Sequence, residues 1–296
     1  MPQPLLSWFP TERPEVLAPL FGVLMLLSLA ACDNELVPLT DDPDTVFGVY
    51  GFLDSDADTQ FVRISALRST ILDLNETGSI DAVVEITNLS TGAQTVWRDS
   101  LVTLDDGSQD HLFYAPMRVV PGQRYRLEVR RSDGKSTIAE VTMPDIPQLD
   151  VRAIIADPSD TTDWRQSVVL ENLFEAPERV SVRYRVGRPM DVPDTLSIRY
   201  EDNQIREIRS GWLVEVLYQR DRRSILRQLS RGLTDSTVVF YGLELEVRLP
   251  SPEWEATFGI NIEGGLGFFG AVTNALIPWE LTPEEIKLIG FSSAGS

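Results

Sequence analysis

The chemistry open to this chain is limited by two residue types. Its 296 residues include one histidine, His111, and one cysteine, Cys32. A Ser-His-Asp or Cys-His site would have to use His111, which lies in a strand-like stretch without a nucleophile-elbow sequence nearby. A metal centre built from several histidines is impossible. We therefore expect no enzymatic activity and no cofactor, with His111 as a structural residue.

Alternating carboxylates at Asp54, Asp56 and Asp58 have the spacing of a calcium-binding loop. Oxygen ligands at that spacing could chelate Ca²⁺. The stretch has Thr59 where such a loop needs glycine, and Ser65 where it needs glutamate. An acidic hairpin tip is therefore the default interpretation, and a Ca²⁺ site is the alternative.

Other acidic and aromatic residues leave sugar chemistry open. The chain has 45 Asp and Glu residues, and glycoside hydrolysis needs only one suitably placed pair. The sequence singles out no such pair. Tryptophans could stack on sugars, although they more often fill cores or rims. Those beyond the first 31 residues are Trp97, Trp164, Trp212, Trp254 and Trp279. Glycan binding and, third, hydrolysis stay open as alternatives.

The net charge of −19 predicts which partners the chain avoids. An acidic surface repels phosphate backbones, so we expect no nucleic-acid binding. Such a surface is not attracted to anionic lipid headgroups either. The acidic residues are spread along the chain, which indicates a solvated surface rather than a docking tail.

An apolar run at the start of the chain predicts an export signal. Residues 16–31 are too few for a membrane span, which needs about 20 apolar residues. The stretch Leu29-Ala30-Ala31-Cys32 resembles the lipobox of bacterial lipoproteins. That resemblance implies cleavage before Cys32 and a diacylglycerol on its thiol, so residues 1–31 are expected to be a lipoprotein signal peptide. The leader departs from the pattern because Arg13 is its one basic residue.

The segment that follows Cys32 is acidic and contains prolines. Residues 33–44 include five acidic residues and two prolines, so residues 32–44 are expected to form a flexible acidic tether. The cluster Asp33-Asn34-Glu35 resembles the surface-export signal of Bacteroidetes-type lipoproteins. We therefore expect lipid anchoring in the outer membrane. The acidic cluster favours a body exposed at the cell surface, and a body facing the periplasm is the alternative.

Short alternating strands dominate the chain from residue 45 onward. In Arg124–Arg130, three apolar residues alternate with four charged ones, which is the pattern of a strand with one face on a core. Residues 60–68 alternate too, with Phe61 opposite in phase to the other apolar residues. Such strands, separated by Gly- and Asp-containing turns, predict a mainly β fold. We expect an immunoglobulin- or fibronectin-like β-sandwich over residues 45–147.

Two prolines, Pro144 and Pro147, mark a boundary after this sandwich, because proline ends a strand. A second β-rich domain with one or two short helices is expected over residues 148–296. One helix is predicted at about Asp221–Arg231, where apolar residues fall on one face. Its arginines are either the solvent side of the helix or a basic patch for an acidic partner. They are Arg220, Arg222, Arg223, Arg227 and Arg231.

A second short helix is predicted near the end of the chain. Thr282 is placed to cap it, and Pro283 suits the first helical position. Glu285 completes the sequence pattern of a capping box. The helix should end at about Ile289, because Gly290 follows.

The most distinctive segment is Asn261-Ile262-Glu263-Gly264-Gly265-Leu266-Gly267-Phe268-Phe269-Gly270. Together with the lipobox and the strand Pro121–Val129, it resembles an uncharacterised Bacteroidetes-type outer-membrane lipoprotein family, domain of unknown function family 4249. In that family an N-I-x-G-G-x-G-x-F-G run closes the last domain. The resemblance therefore singles out Asn261, Gly264, Gly265, Gly267, Phe269 and Gly270.

The glycine spacing has a physical interpretation that does not depend on the family. Glycines allow positive φ or close backbone approach, so the run predicts a tightly packed final strand with a bulge. A phosphate-binding loop is excluded, because no βαβ pattern surrounds the run and no Lys-Ser/Thr follows it.

The family resemblance implies a location rather than an activity. Its members look like outer-membrane lipoproteins, some of them encoded near TonB-dependent transporters. The leading expectation is a non-enzymatic, membrane-anchored binding or accessory module for an envelope partner such as a TonB-dependent transporter. A glycan- or Ca²⁺-binding surface protein is the alternative, and a hydrolase is third.

Overall fold

Three β-sheets form the part of the protein that the structure describes. The structure, a computed structural model, describes residues 45–67, 79–103, 107, 109–157, 163–173, 175–188, 191–229, 238–254 and 261–294. The predicted signal peptide, the predicted tether and Cys32 lie outside the described residues.

The strands of the described residues are numbered in chain order. They are β1 Phe47–Asp54, β2 Gln60–Ala66, β3 Val83–Asn88, β4 Gln94–Val96, β5 Arg98–Thr103, β6 Gln109–Ala115, β7 Arg124–Arg130, β8 Ser136–Thr142, β9 Gln148–Val151, β10 Ile155–Ala156, β11 Trp164–Glu171, β12 Arg179–Gly187, β13 Asp194–Tyr200, β14 Ile205–Ile208, β15 Gly211–Leu217, β16 Val239–Pro250, β17 Ile262–Glu263, β18 Gly265–Trp279 and β19 Ser292–Ser293. Two α-helices lie among them, α1 Tyr218–Leu229 and α2 Pro283–Leu288, with two short 3-10 helices at Asp202–Gln204 and Pro252–Trp254. The predicted mainly β fold class is confirmed.

The largest sheet, called the central sheet here, has the strand order β13-β12-β16-β18-β1-β2-β6-β5, with β19 beside β16. A second sheet has the order β10-β11-β15-β14, with β9 beside β11, and a third has the order β17-β8-β7-β3-β4. Among the strands of the described residues, two pairings are parallel, β1 with β18 and β16 with β19. The central sheet therefore extends through both halves of the body.

One hydrophobic core lies between the third sheet and the β1-β2-β6 part of the central sheet. Alternation decides which residues enter it: Leu127 and Val129 of β7 are buried, whereas Arg126 between Tyr125 and Leu127 is exposed. Val62 and Ile64 of β2 meet them from the central sheet in the same cluster. This two-layer packing is sandwich-like. The immunoglobulin- or fibronectin-like form of the sandwich stays a prediction.

A second hydrophobic core lies between the second sheet and the β12-β16 part of the central sheet. Val182 and Leu245 contribute from the central sheet, and Val214 and Val216 contribute from β15. Helix α1 closes this core with Ile225, which is fully buried. The apolar face of the helix therefore packs in this core, as the spacing of its apolar residues predicts.

Strand β18 connects the two cores. It pairs with β1 on one side and with β16 on the other. Its residues Phe269 and Ala271 lie in the first core, whereas Trp279 lies in the second. Ile262 also packs in the first core. The described residues lie in one compact unit, and the predicted division into two domains after residue 147 stays a prediction.

The two helices are close to their predicted positions. Helix α1 begins at Tyr218, three residues before the predicted start, because the chain passes directly from β15 into the helix and buries Tyr218 and Asp221. Helix α2 has the predicted capping box, since Thr282 accepts from the Glu285 backbone N–H and Glu285 accepts in return from the Thr282 backbone N–H. Within the described part of the chain, neither helix is long and apolar enough to span a bilayer.

Candidate functional site

The glycine motif, residues 261–270, lies where β17 and β18 meet β8. The Asn261 side-chain amide donates to the carbonyl oxygens of Glu140, at 3.0 Å, and Phe269, at 2.5 Å. The Thr137 hydroxyl donates to the carbonyl oxygen of Gly264 at 2.6 Å. These bonds attach the third sheet to the central sheet. The motif is therefore part of the sheet framework.

The glycines of the motif allow β18 to pack closely against β1. A Cβ on Gly267 would clash with the Val49 carbonyl oxygen, and this residue has φ of 118°. A Cβ on Gly265 would lie 2.7 Å from the Phe47 carbonyl oxygen. The predicted tightly packed strand is therefore present as β18. The predicted bulge is absent from its described pairing with β1, which is in unbroken register from Gly265 to Val272.

Gly270, the last glycine of the motif, contacts an aromatic ring on the solvent side of the central sheet. A Cβ on Gly270 would lie 2.5 Å from Cζ of Phe268, so the Phe268 ring lies over this glycine. In the sheet register Phe268 is opposite Tyr50. Because Gly270 has no side chain, the sheet surface has room for the Phe268 ring.

A row of large side chains covers this solvent side across four strands. Phe52 lies opposite Phe61 between β1 and β2, and Phe61 lies opposite Tyr114 between β2 and β6. Tyr50 is 41% exposed and Phe61 is 47% exposed. Four strands about 4.8 Å apart make this surface roughly 15 Å wide. We call it the aromatic face: Tyr50, Phe52, Phe61, Arg63, Tyr114 and Phe268.

Arginine supplies the charge of the aromatic face. The Arg63 guanidinium carbon lies 4.9 Å from the centre of the Tyr50 ring, a cation–π geometry. Nε of Arg63 also lies 3.2 Å from a carboxylate oxygen of Asp110. Arg98 is opposite Tyr114 in the register and is exposed. Exposed aromatic and arginine side chains are the types enriched at binding surfaces.

His111 pairs with a carboxylate near the edge of the central sheet. Its Nδ1 lies 2.8 and 2.9 Å from the two carboxylate oxygens of Asp99 on β5. An aspartate in this position fixes the orientation of an imidazole. The pair joins β5 to β6, which is a structural role of the kind expected for this histidine.

The structure does not bring the candidate Ca²⁺ ligands together. Asp58 forms an ion pair with Arg118 at 2.5 Å. Asp54 accepts from the Asp56 backbone N–H at 2.9 Å and from the Asn274 amide at 3.0 Å. Burial, and then the neighbouring Asp54, raise the pKa of Asp56 above its usual 3.8. Among the residues that the structure describes, no group of three His, Cys, Asp or Glu side chains is placed to hold a metal.

A buried polar cluster lies in the second core. Tyr184 donates to Oδ2 of Asp221 at 2.7 Å, and Tyr200 donates to the same oxygen. The Arg220 guanidinium donates to Oδ1 at 2.9 and 3.1 Å and lies over the Tyr200 ring. Burial raises the pKa of Asp221 above 3.8, although the tyrosine and arginine bonds oppose this. Burial likewise raises the pKa of both tyrosines well above 10. We call this the Asp221 cluster.

The tryptophans that the structure describes contribute to the two cores, and several of the arginines have partners within the protein. Trp97 and Trp279 are buried, and Trp164 and Trp212 pack against the second core. The indole N–H of Trp279 donates to Gln166 at 3.3 Å. Among the arginines, Arg220 binds Asp221, Arg222 donates to the Gly290 carbonyl and Arg227 donates to the Arg223 carbonyl. Both interpretations of this group, the solvent side of the helix and a basic patch, stay predictions. The side chain of Trp254 and all of Arg231 lie outside the described residues.

The aromatic face is the feature that sequence reasoning missed. The signal was present in β2, where Phe61 is out of phase with buried Val62 and Ile64. An apolar residue on the wrong face of an alternating strand either lies under a second layer or faces solvent. The sequence does not decide between them, because that depends on which strands pair.

Comparison with known proteins identifies the family. The family model described as "Domain of unknown function (DUF4249)" matches residues 33–204, more than half of the chain. The chain belongs to this family. The match ends before the glycine motif, so the assignment of that motif to the family stays a prediction. No curated protein matches the chain.

Two solved structures that resemble this member of the family do so distantly. A pullulanase from Anoxybacillus sp. LM18-11 aligns with a TM-score of 0.21 at 10% identity, and the same enzyme complexed with maltotriose aligns with 0.21 at 11%. Each alignment covers 68% of this chain and 24% of the pullulanase chain. Similarity at this level carries no functional argument.

Proposed function

We propose that the protein is a non-enzymatic, lipid-anchored module of the cell envelope that binds a partner protein through its aromatic face. The observation that carries the proposal is the array of exposed rings on β1 and β2, of which Tyr50 and Phe61 are over 40% exposed. Aromatic anchors beside an arginine supply most of the binding energy at protein interfaces. The partner that best fits an anchored module is an envelope protein such as a TonB-dependent transporter.

The proposed location is supported by the start of the chain. The apolar run, the small residues before Cys32 and the acidic segment after it have the order of a lipoprotein leader and tether. A single acyl chain holds weakly, so the several chains of a bacterial lipoprotein would be needed for stable anchoring. The tether would then hold the body near membrane proteins, where the aromatic face can meet one.

The test is crosslinking of the full-length protein in membranes of its native cells. We expect the wild type to crosslink to a defined envelope protein, and Tyr50→Ala/Phe61→Ala to lose at least nine-tenths of that product. The matched control is Val96→Ala/Leu276→Ala, which removes two exposed apolar side chains elsewhere. Equal crosslinking by both double variants would refute the assignment of the aromatic face.

Glycan binding is the second candidate, because of the ring geometry. Phe61 and Tyr114 have centroids 6.2 Å apart and planes tilted by 31°, so the two rings form a shallow platform. Aromatic platforms can stack on the apolar faces of sugars. Titration of the purified mature chain with a glycan panel separates the two candidates, since a glycan ligand would bind without any partner protein and would raise the melting temperature.

A further inference from the structure

A groove of about 600 Å³ lies where the two cores adjoin. One wall is the link between β8 and β9, residues 143–147. The opposite wall comes from the end of β11 and the turn after it, Glu171–Leu173, and from Pro250 and Pro252. The volume is within the usual range of ligand sites, about 300–1,000 Å³. This groove is separate from the aromatic face, and it shares no residue with it.

The lining of the groove is more apolar than polar, and its prolines restrict the backbone. Prolines are prominent in it, and each has a locked φ and no backbone N–H to satisfy. The link is held from behind, because the Thr273 hydroxyl donates to the Pro144 carbonyl oxygen at 2.7 Å. Ile146 is 53% exposed at the opening. The apolar members of the lining are Met143, Pro144, Ile146, Pro147, Leu173, Pro250 and Pro252.

Two glutamates, Glu171 and Glu175, border this apolar lining, and the described lining residues include no lysine or arginine. The carboxylate of a third acidic lining residue, Asp145, lies against Gly122. Elsewhere on the surface acidic side chains commonly pair, as Glu140 does with Arg124 and Arg126. Neither Glu171 nor Glu175 has an ion pair with any described residue, although the chain contains 26 Lys and Arg.

We propose that this groove binds an extended peptide segment in which lysine or arginine alternates with proline or aliphatic residues. Long basic side chains lay their methylene stems along apolar surface while their charged ends stay in water, which matches an apolar groove with an acidic rim. The rim carboxylates would pair with the charged ends, and the prolines of the lining would contact the aliphatic residues. Because the lining is preformed, binding orders little of the protein.

The test uses the purified mature chain with Cys32 replaced by serine and a fluorescent peptide of sequence Lys-Pro-Leu-Arg-Pro-Val-Lys-Pro-Leu. Binding is measured by fluorescence anisotropy in low and high salt. Two control peptides replace either the three basic residues with glutamate or the three aliphatic residues with serine. We expect the basic apolar peptide to bind, the acidic peptide not to bind, and the serine peptide to bind at least tenfold more weakly.

A charge of −19 attracts any basic peptide, so a charge-matched pair of variants is needed. Glu171→Gln/Glu175→Gln should weaken binding about tenfold, because two exposed ion pairs are lost. Glu201→Gln/Glu263→Gln has the same net charge and removes exposed acids outside the groove, so it should change binding less than twofold. Equal weakening by both variants, or no binding of the basic apolar peptide, would overturn the proposal.

Discussion

The Asp221 cluster shows how much one buried side chain can determine. Asp221 is completely buried, and its carboxylate accepts bonds from Tyr184, Tyr200 and Arg220. These donors come from β12, β13 and α1, so one carboxylate connects a helix to the central sheet. A buried charge without partners would be strongly unfavourable, and the three donors offset that desolvation.

Removal of the Asp221 carboxylate should destabilise the fold. In Asp221→Ala the hydroxyl groups of Tyr184 and Tyr200 lose their acceptor inside the core. We expect a loss of about 3 kcal/mol in the free energy of unfolding, measured by urea denaturation. The exposed control Glu201→Ala should change it by less than about 0.5 kcal/mol. A similar loss in both variants would contradict the role of the cluster.

The tyrosines of the Asp221 cluster make stability depend on high pH. Their pKa values are raised in the folded protein, so their contribution is complete below pH 10 and is lost as the pH rises above 10. Each tyrosine that ionises only on unfolding lowers stability by about 1.4 kcal/mol per pH unit in that window. Tyr184→Phe should therefore have a shallower decline between pH 10 and 11. An unchanged slope would show that Tyr184 ionises normally in the folded state.

At the scale of elements, β18 depends on glycine for its place between β1 and β16. Gly267→Ala should lower the free energy of unfolding by about 3 kcal/mol, because positive φ and the clash with Val49 add together. Gly134→Ala is the matched control, with φ of 90° and open space around its Cβ, and it should cost about 1 kcal/mol. Thermal and urea unfolding of the two variants would compare them directly. Equal losses would mean that close packing at Gly267 is unimportant.

Local patterns predicted individual elements well and their assembly less well. The alternation of β7 and the capping box of α2 depend on neighbours within a few residues, so the sequence displays them. The pairing of β1 with β18 joins residues more than 200 positions apart, and nothing local encodes it. The aromatic face and the groove both depend on that assembly. The sequence therefore revealed the elements of the candidate sites without showing where they meet.

At the scale of the whole molecule, the anchor and the body can be tested separately. Cys32→Ser removes the thiol that would carry the lipid, and it leaves the described body unchanged in sequence. We expect the variant to move from the membrane fraction to the soluble fraction, with an unchanged circular dichroism spectrum of the body. Fractionation and immunoblotting would measure this. Retention in membranes at the wild-type level would contradict a lipid anchor.

The parallel pairing of β1 with β18 also determines when each part of the body can finish folding during synthesis. A ribosome releases residues 45–143 long before Trp279, so β1 emerges with one edge unpaired and an unfilled gap beside Phe47 and Val49. Long-range pairing of this kind slows folding, and open edges promote aggregation. The half of the body that is synthesised first is thus completed last, and a nascent chain of this protein would need protection until its C-terminal strand arrives.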